Sequence, residues 1–429
     1  MRPGTSWPCH RGDAAARPWS RPGRTERFLL PAVLALVLLT VGPEGCGPRL
    51  KPIFEEVDPP LVWPPEPKPT RIRYLGQLAS ESDLKAPRSL WSAIEQLLVG
   101  AEPPGELYGP RSVVCTPDAR RVWIADAGGR RLHLFDLEQR RYQQVERLGG
   151  VNLLSPVAIC QGPKGSVYVC DSEAVAIYRI DDDDGTHLET LRLPDEILRP
   201  VAVRYDPGSD ELYVVDIRSH DVKVLGSSGQ LKRILGERGT GPGQFNYPTA
   251  IGGDGDVLWI VDSGNHRVQS VTRSGEPVTS FGQAGDAPGD LALPKGLAVD
   301  SDGHLYVVDA RFENVQIFDR SGGLLLVFGE EGPGPGEFWL PAGIFIDAED
   351  RVWVCDAYNR RVQVFQYVKE APATPRDHSP PNAEAGAAPN GGRHTWTRPN
   401  TPVPLYVFSV VDGPPPYQGG DGGGCPGLR

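Results

Sequence analysis

What this 429-residue chain lacks first is the composition of a helical protein: 51 glycines and 44 prolines stand beside a single methionine, the initiator. A helix interior loses about 1 kcal/mol per glycine and about 3 kcal/mol per proline, which excludes an all-helical fold. Positive charge is short as well, with 44 Lys and Arg against 55 Asp and Glu, a formal charge of −11. Sequence-independent binding of nucleic acid needs clustered excess cations, so that class is set aside. The seven cysteines show no metal-ligand spacing, no Cys-x-x-Cys-His haem site and no disulfide framework. Cys170 and Cys355 occupy small hydrophobic positions and read as core residues. What remains is a turn-rich, acidic β protein whose 39% hydrophobic content suffices for a core.

The two ends carry no repeat. Arg21, Arg24 and Arg27 precede an apolar run over residues 28–41, 14 residues long. That length suits the hydrophobic region of a signal peptide and falls short of the roughly 20 residues of a spanning helix. Residues 1–45 are therefore expected to be an export signal. Their removal takes away six arginines and three acids and leaves a charge of −14. Gly45-Cys46 follows the run, and a hydrophobic run ending in Gly-Cys resembles a bacterial lipoprotein signal, whose cysteine is lipidated. Pro43 and Glu44 depart from that pattern, so simple secretion stands beside lipidation at Cys46. Residues 46–70 hold eight prolines, favour extended polyproline II and read as a semi-rigid stalk. Residues 370–429 are rich in proline and glycine and read as a disordered tail.

Between the ends, six short hydrophobic segments each finish in aspartate. They close on Asp126, Asp171, Asp216, Asp262, Asp309 and Asp356, at spacings of 45, 45, 46, 47 and 47 residues. A proline opens each unit: Pro110, Pro156, Pro200, Pro248, Pro294 and Pro341. A period of 40–50 residues with four strands per unit means propeller blades. In the unit after Pro294, Gly296-Leu297-Ala298-Val299 is a short inner strand and Leu305-Tyr306-Val307-Val308-Asp309 the second. Val315-Gln316-Ile317-Phe318 is the third, and an outer strand follows over residues 324–328. The last unit supplies only three strands, and Ile72-Arg73-Tyr74-Leu75 resembles the missing outer one. The spacing therefore predicts a ring closed by an N-terminal strand. Residues 80–104 are an insertion in which Ser89 caps a short helix carrying Leu90, Trp91, Ile94, Leu97 and Leu98 on one face.

Asp262-Ser263-Gly264-Asn265-His266-Arg267-Val268 and Asp356-Ala357-Tyr358-Asn359-Arg360-Arg361-Val362 resemble the signature of NHL repeats. With the signal, the proline-rich leader and the closing strand, the chain resembles exported bacterial six-bladed NHL-type propeller proteins. The expected fold is all-β: a six-bladed NHL β-propeller over residues 71–369 with one short inserted helix. Some propellers of this kind are lyases that hold zinc with channel histidines, and others are lactonases that use channel carboxylates and amides. The inner strands here read apolar, and neither signature is present in them.

The repeat aspartates suggest a carboxylate ring, yet their identical position after every second strand points to hydrogen bonds within each blade turn. More telling is the variation two residues further on, at Gly128, Glu173, Arg218, Gly264, Arg311 and Tyr358. Symmetry places these loops on one face of the disc. Arg218, His266, Arg311, Phe312, Tyr358 and Arg360 are the candidate binding residues, suited to a protein or an anionic ligand. The expected function is a non-enzymatic, monomeric scaffold of the cell envelope, with no cofactor, no metal and no nucleic-acid partner. Its partner would be a protein or cell-surface ligand, and its tether the membrane through Cys46. The alternative is a periplasmic hydrolase or lyase with a channel-bound metal.

Overall fold

The structure is a computed structural model that describes residues 51–55, 57–85, 105–180, 188–254 and 257–369. Each of the first five proline-to-proline units forms an antiparallel four-stranded sheet, with the strands in chain order from the centre outward, and the sixth supplies the three inner strands of its blade. In blade five these are Pro294–Val299, Leu305–Asp309, Asn314–Phe318 and Leu324–Phe328. The second strands are apolar at nearly every position because both of their faces are covered. Leu305 and Val307 pack with Trp259 and Val261 of blade four, whereas Tyr306 and Val308 pack with Val352 and Val354 of blade six. Side chains alternate across a strand, so one strand serves two interfaces and has no polar side to spare.

The inner strands lie side by side around a central channel, and the ring closes from blade six onto blade one. Close approach of neighbouring inner strands requires glycine on both sides of blade six. A Cβ on Gly343 would sit 2.3 Å from the Arg111 carbonyl oxygen, and one on Gly296 2.5 Å from that of Ala342.

Closure follows the expected route. Ile72–Leu78 pairs antiparallel with Arg361–Tyr367 and supplies the outer strand of blade six. A further short strand, Val62–Trp63, pairs outside it. Closing the ring with the chain's own N-terminal strand ties its two ends into one sheet and leaves no unpaired seam between first and last blades.

One expectation needs revision. The leader over residues 46–70 differs from a free stalk: its described part lies on the propeller. The Trp63 ring is 5.8 Å from both Phe328 and Phe365, and Phe54 is 5.9 Å from Trp353. Prolines make the segment extended, but Ile53, Phe54, Val57, Leu61 and Trp63, spaced between them, bury apolar surface against blade six. Of the insertion at 80–104, Glu81–Leu84 is a 3-10 turn; the expected helix lies outside the described residues. So do the signal, Cys46 and the C-terminal tail.

Candidate functional site

Proline and aspartate of each unit meet in space. Pro110 faces Asp126 across the inner and second strands, and the same pairing recurs in all six blades, through Pro341 opposite Asp356. Proline is tolerated as the first residue of a strand beside a register irregularity, where no ladder N–H is needed. The residues just before it donate their N–H groups to the aspartate. Asp309 accepts from Ala292 at 2.7 Å and Leu293 at 3.0 Å, and on its other side from Arg311 at 2.9 Å and Phe312 at 3.2 Å. Each carboxylate is fully buried and clasps the segment entering its blade to the loop between the second and third strands. Burial by itself would raise these carboxyls; at Asp126 and Asp216 the hydrogen bonds outweigh it and hold them below the usual range. At Asp356 burial prevails over Trp339, Asn359 and Arg361 and pushes the carboxyl up.

The clasp fixes which side chains share a face. Backbone bonds join the two loops directly, as between Gly128 N–H and the Gly109 carbonyl or Tyr358 N–H and that of Trp339. The residues before each proline and those after each aspartate therefore emerge together at one end of the channel. Four residues after the aspartate the chain turns left-handed in every blade, at Arg130, Val175, His220, His266, Glu313 and Arg360.

Family profiles match two stretches of the chain: one for the NHL domain of teneurins over residues 146–333, and one for a six-bladed β-propeller family over residues 297–370. With the six blades just described, they decide the architecture. The chain is an NHL-type six-bladed β-propeller. No curated protein matches it. Among solved structures it is similar to virginiamycin B lyase from Staphylococcus aureus, at 16% identity over 61% of this chain and 96% of that one, with a TM-score of 0.45. It is also similar to an auxiliary nutrient binding protein from Bacteroides thetaiotaomicron (14%, 61% and 69%, TM-score 0.49) and to a gluconolactonase from Xanthomonas campestris (17%, 61% and 87%, TM-score 0.47). These likenesses assign no function.

On this NHL propeller the six candidate binding residues share the clasp end without forming one cluster. Arg218, on blade three, and Arg311, on blade five, are exposed and donate their backbone N–H groups to Asp216 and Asp309. The His266 ring reaches the Leu291 carbonyl at 3.1 Å and bridges blade four to the segment entering blade five. Phe312 is half-buried. Only Tyr358 and Arg360 enter a larger group: Tyr358 lies 5.7 Å from the Trp339 ring, and the Arg360 guanidinium 5.6 Å over Tyr108, which Arg131 also covers at 5.5 Å.

Tyr108 and Trp339 belong to a set that the sequence reading passed over. Every blade places a large exposed apolar residue one or two positions before its proline, with Leu293 of blade five the least exposed. The others are Tyr108, Leu154, Leu198, Tyr247 and Trp339; the exposures of Tyr108, Tyr247 and Trp339 are 49%, 50% and 51%. Together with Tyr358 they make a rim around the channel mouth. Its signal was available in the repeats, which read Tyr-Gly-Pro, Leu-Ser-Pro, Leu-Arg-Pro, Asn-Tyr-Pro, Ala-Leu-Pro and Trp-Leu-Pro when aligned on the prolines.

Proposed function

We propose that this propeller is a non-enzymatic recognition scaffold, exported and held at the cell envelope through Cys46, whose apolar rim binds a protein or cell-surface ligand. The rim carries the reading. Aromatic and aliphatic side chains left about half exposed around one opening are unfavourable in water and are the anchors that interfaces use. The clasp beneath them is rigid and repeated, which holds six anchors in fixed positions before a partner arrives. Arg218, Arg311 and Arg360, interspersed among the anchors, add charge for orientation.

The test begins with capture from envelope membranes by the mature protein and identification of the partner. That partner is then titrated against wild type and the triple variant Tyr108→Ser, Tyr247→Ser, Trp339→Ser. The variant is expected to lose at least about 100-fold in affinity with an unchanged thermal transition. Undiminished binding would refute the rim, and substrate turnover by wild type that depends on a channel metal would refute the scaffold. Loss of detergent-phase partitioning in Cys46→Ser checks the anchor.

A further inference from the structure

Behind the rim lies the channel itself, a space of about 810 Å³ bounded by the inner strands, within the range of organic-ligand sites. Its titratable lining is one-sided. Arg111, Arg199, Arg204 and Lys295 face it together with Cys160 and Tyr205, and among the described residues no carboxylate does. This is unexpected in a protein of formal charge −11.

Three of the four cations stand at the mouth. Arg111 and Lys295 occupy the same repeat position, directly after the proline of blades one and five. They flank blade six, where that position is Ala342. Arg199 precedes the proline of blade three, across the ring. Several partly buried cations elsewhere are closely paired: Arg361 lies 2.7 Å from Asp356, Arg351 2.7 Å from Asp347 and Arg233 2.8 Å from Glu211. Arg111, Arg199 and Lys295 have no such partner; among the described residues none makes a side-chain hydrogen bond or ion pair. Burial and the neighbouring Arg111 charge both push the Lys295 amine down, and only Asp309, committed to its clasp, acts the other way. Deeper in, the walls are largely apolar, with Ala158, Ala202, Val203, Leu297 and Ile344 among them. Cations focused in a low-dielectric opening raise the local concentration of anions.

We propose that the channel is a binding site for a small organic anion, its carboxylate, phosphate or sulfate group held between Arg111 and Lys295 and its apolar body against the channel wall. The bound charge relieves the repulsion of two unpaired cations, and the wall removes apolar surface from water. The site is separate from the rim, so it stands or falls independently of the partner reading.

Calorimetric titration of the mature protein with octyl phosphate, octanoate, inorganic phosphate and octanol distinguishes the contributions. Octyl phosphate and octanoate are expected to bind one per chain, more weakly as salt rises. Lys295→Met and Arg111→Met should each weaken them at least about tenfold, and Lys295→Arg should restore binding. Thermal unfolding of each variant verifies the fold, which these unpaired side chains do not support. Three results would overturn the proposal: neither octyl anion binds, octanol binds as tightly as octyl phosphate, or the Lys295→Met, Arg111→Met double variant binds unchanged. Inorganic phosphate binding as tightly as octyl phosphate would overturn the apolar half of the site.

Discussion

In blade three, Asp216 takes the N–H groups of both residues before the proline, Leu198 and Arg199, and those of Arg218 and Ser219 after it. In blade six, Asp356 takes only one N–H before the proline, from Trp339 at 2.8 Å. Its second oxygen goes to three side chains: Asn359 at 2.9 Å, Arg361 at 2.7 Å and Gln363 at 3.1 Å. Blade four repeats the second arrangement with Asn265, Arg267 and Gln269 on Asp262. The same buried carboxylate is thus satisfied by main chain in one blade and by side chains in another.

The difference has consequences on both sides of the clasp. Arg361 also bonds the carbonyls of Gly334 and Glu337 and the amide oxygen of Gln77. It thereby shapes the glycine-rich linker and grips the closing strand. On the other side, the second N–H before the proline is released. Tyr247 and Leu340 adopt left-handed φ values of 49° and 47°. The Tyr247 N–H then meets His220 Nδ1 at 2.9 Å, and that of Leu340 meets the Glu313 carboxylate. His220 and Glu313 sit at the left-handed position of the preceding blade, so the second arrangement stitches neighbouring blades as well as loops.

Breaking the side-chain clasp should have the largest effect. Arg361→Met leaves the buried Asp356 carboxylate without its cation, and a loss of about 3–5 kcal/mol is expected, read by chemical denaturation. Asn314 of blade five aligns with Arg361, yet its amide oxygen is buried without a partner. Asn314→Ala should accordingly cost less than about 1 kcal/mol. Similar losses at the two sites would mean that the clasps are equivalent.

Acid separates the backbone clasp next. The folded-state carboxyl of Asp216 is depressed, so its contribution is present above its unfolded value, near pH 4, and fades as pH falls through the depressed value. Asp216→Asn is expected to be about 2 kcal/mol less stable at neutral pH, with a flatter decline below pH 4. Equal acid limbs for variant and wild type would remove the carboxylate from this account.

The smallest effect is a gain. A residue at positive φ carries a backbone cost that glycine does not. Tyr247→Gly should stabilise the protein by about 0.5 kcal/mol while weakening partner binding. Leu198→Gly, at a blade opening whose φ is not positive, should only destabilise. Matching thermal shifts in the two variants would show that φ at Tyr247 is not what sets blade four apart.

Much of this was open to reading along the chain. Six aspartates at 45–47-residue spacing, each matched by a proline, admit few folds, because a four-stranded unit of that length buries its apolar strands only by stacking on copies of itself. The Asn-x-Arg letters of blades four and six were visible as a family signature, and Ile72–Leu78 as the closing strand. The leader was misread because proline content describes stiffness, whereas the destination of Phe54 and Trp63 depends on an uncovered edge of blade six. The rim was overlooked because single apolar residues beside prolines carry no local signal until six of them are brought around one opening.

The sequence by itself determined the blades, their number, their order and the residues that must be buried, since period and alternation act over short stretches of chain. Only the tertiary structure decided what those residues face. Arg361 finds Gln77 across 284 positions, and Arg111 and Lys295 become neighbours of one channel only once the ring has closed. The physical reason is that burial and pairing belong to surfaces, and in a closed ring each surface is assembled from segments far apart in the chain.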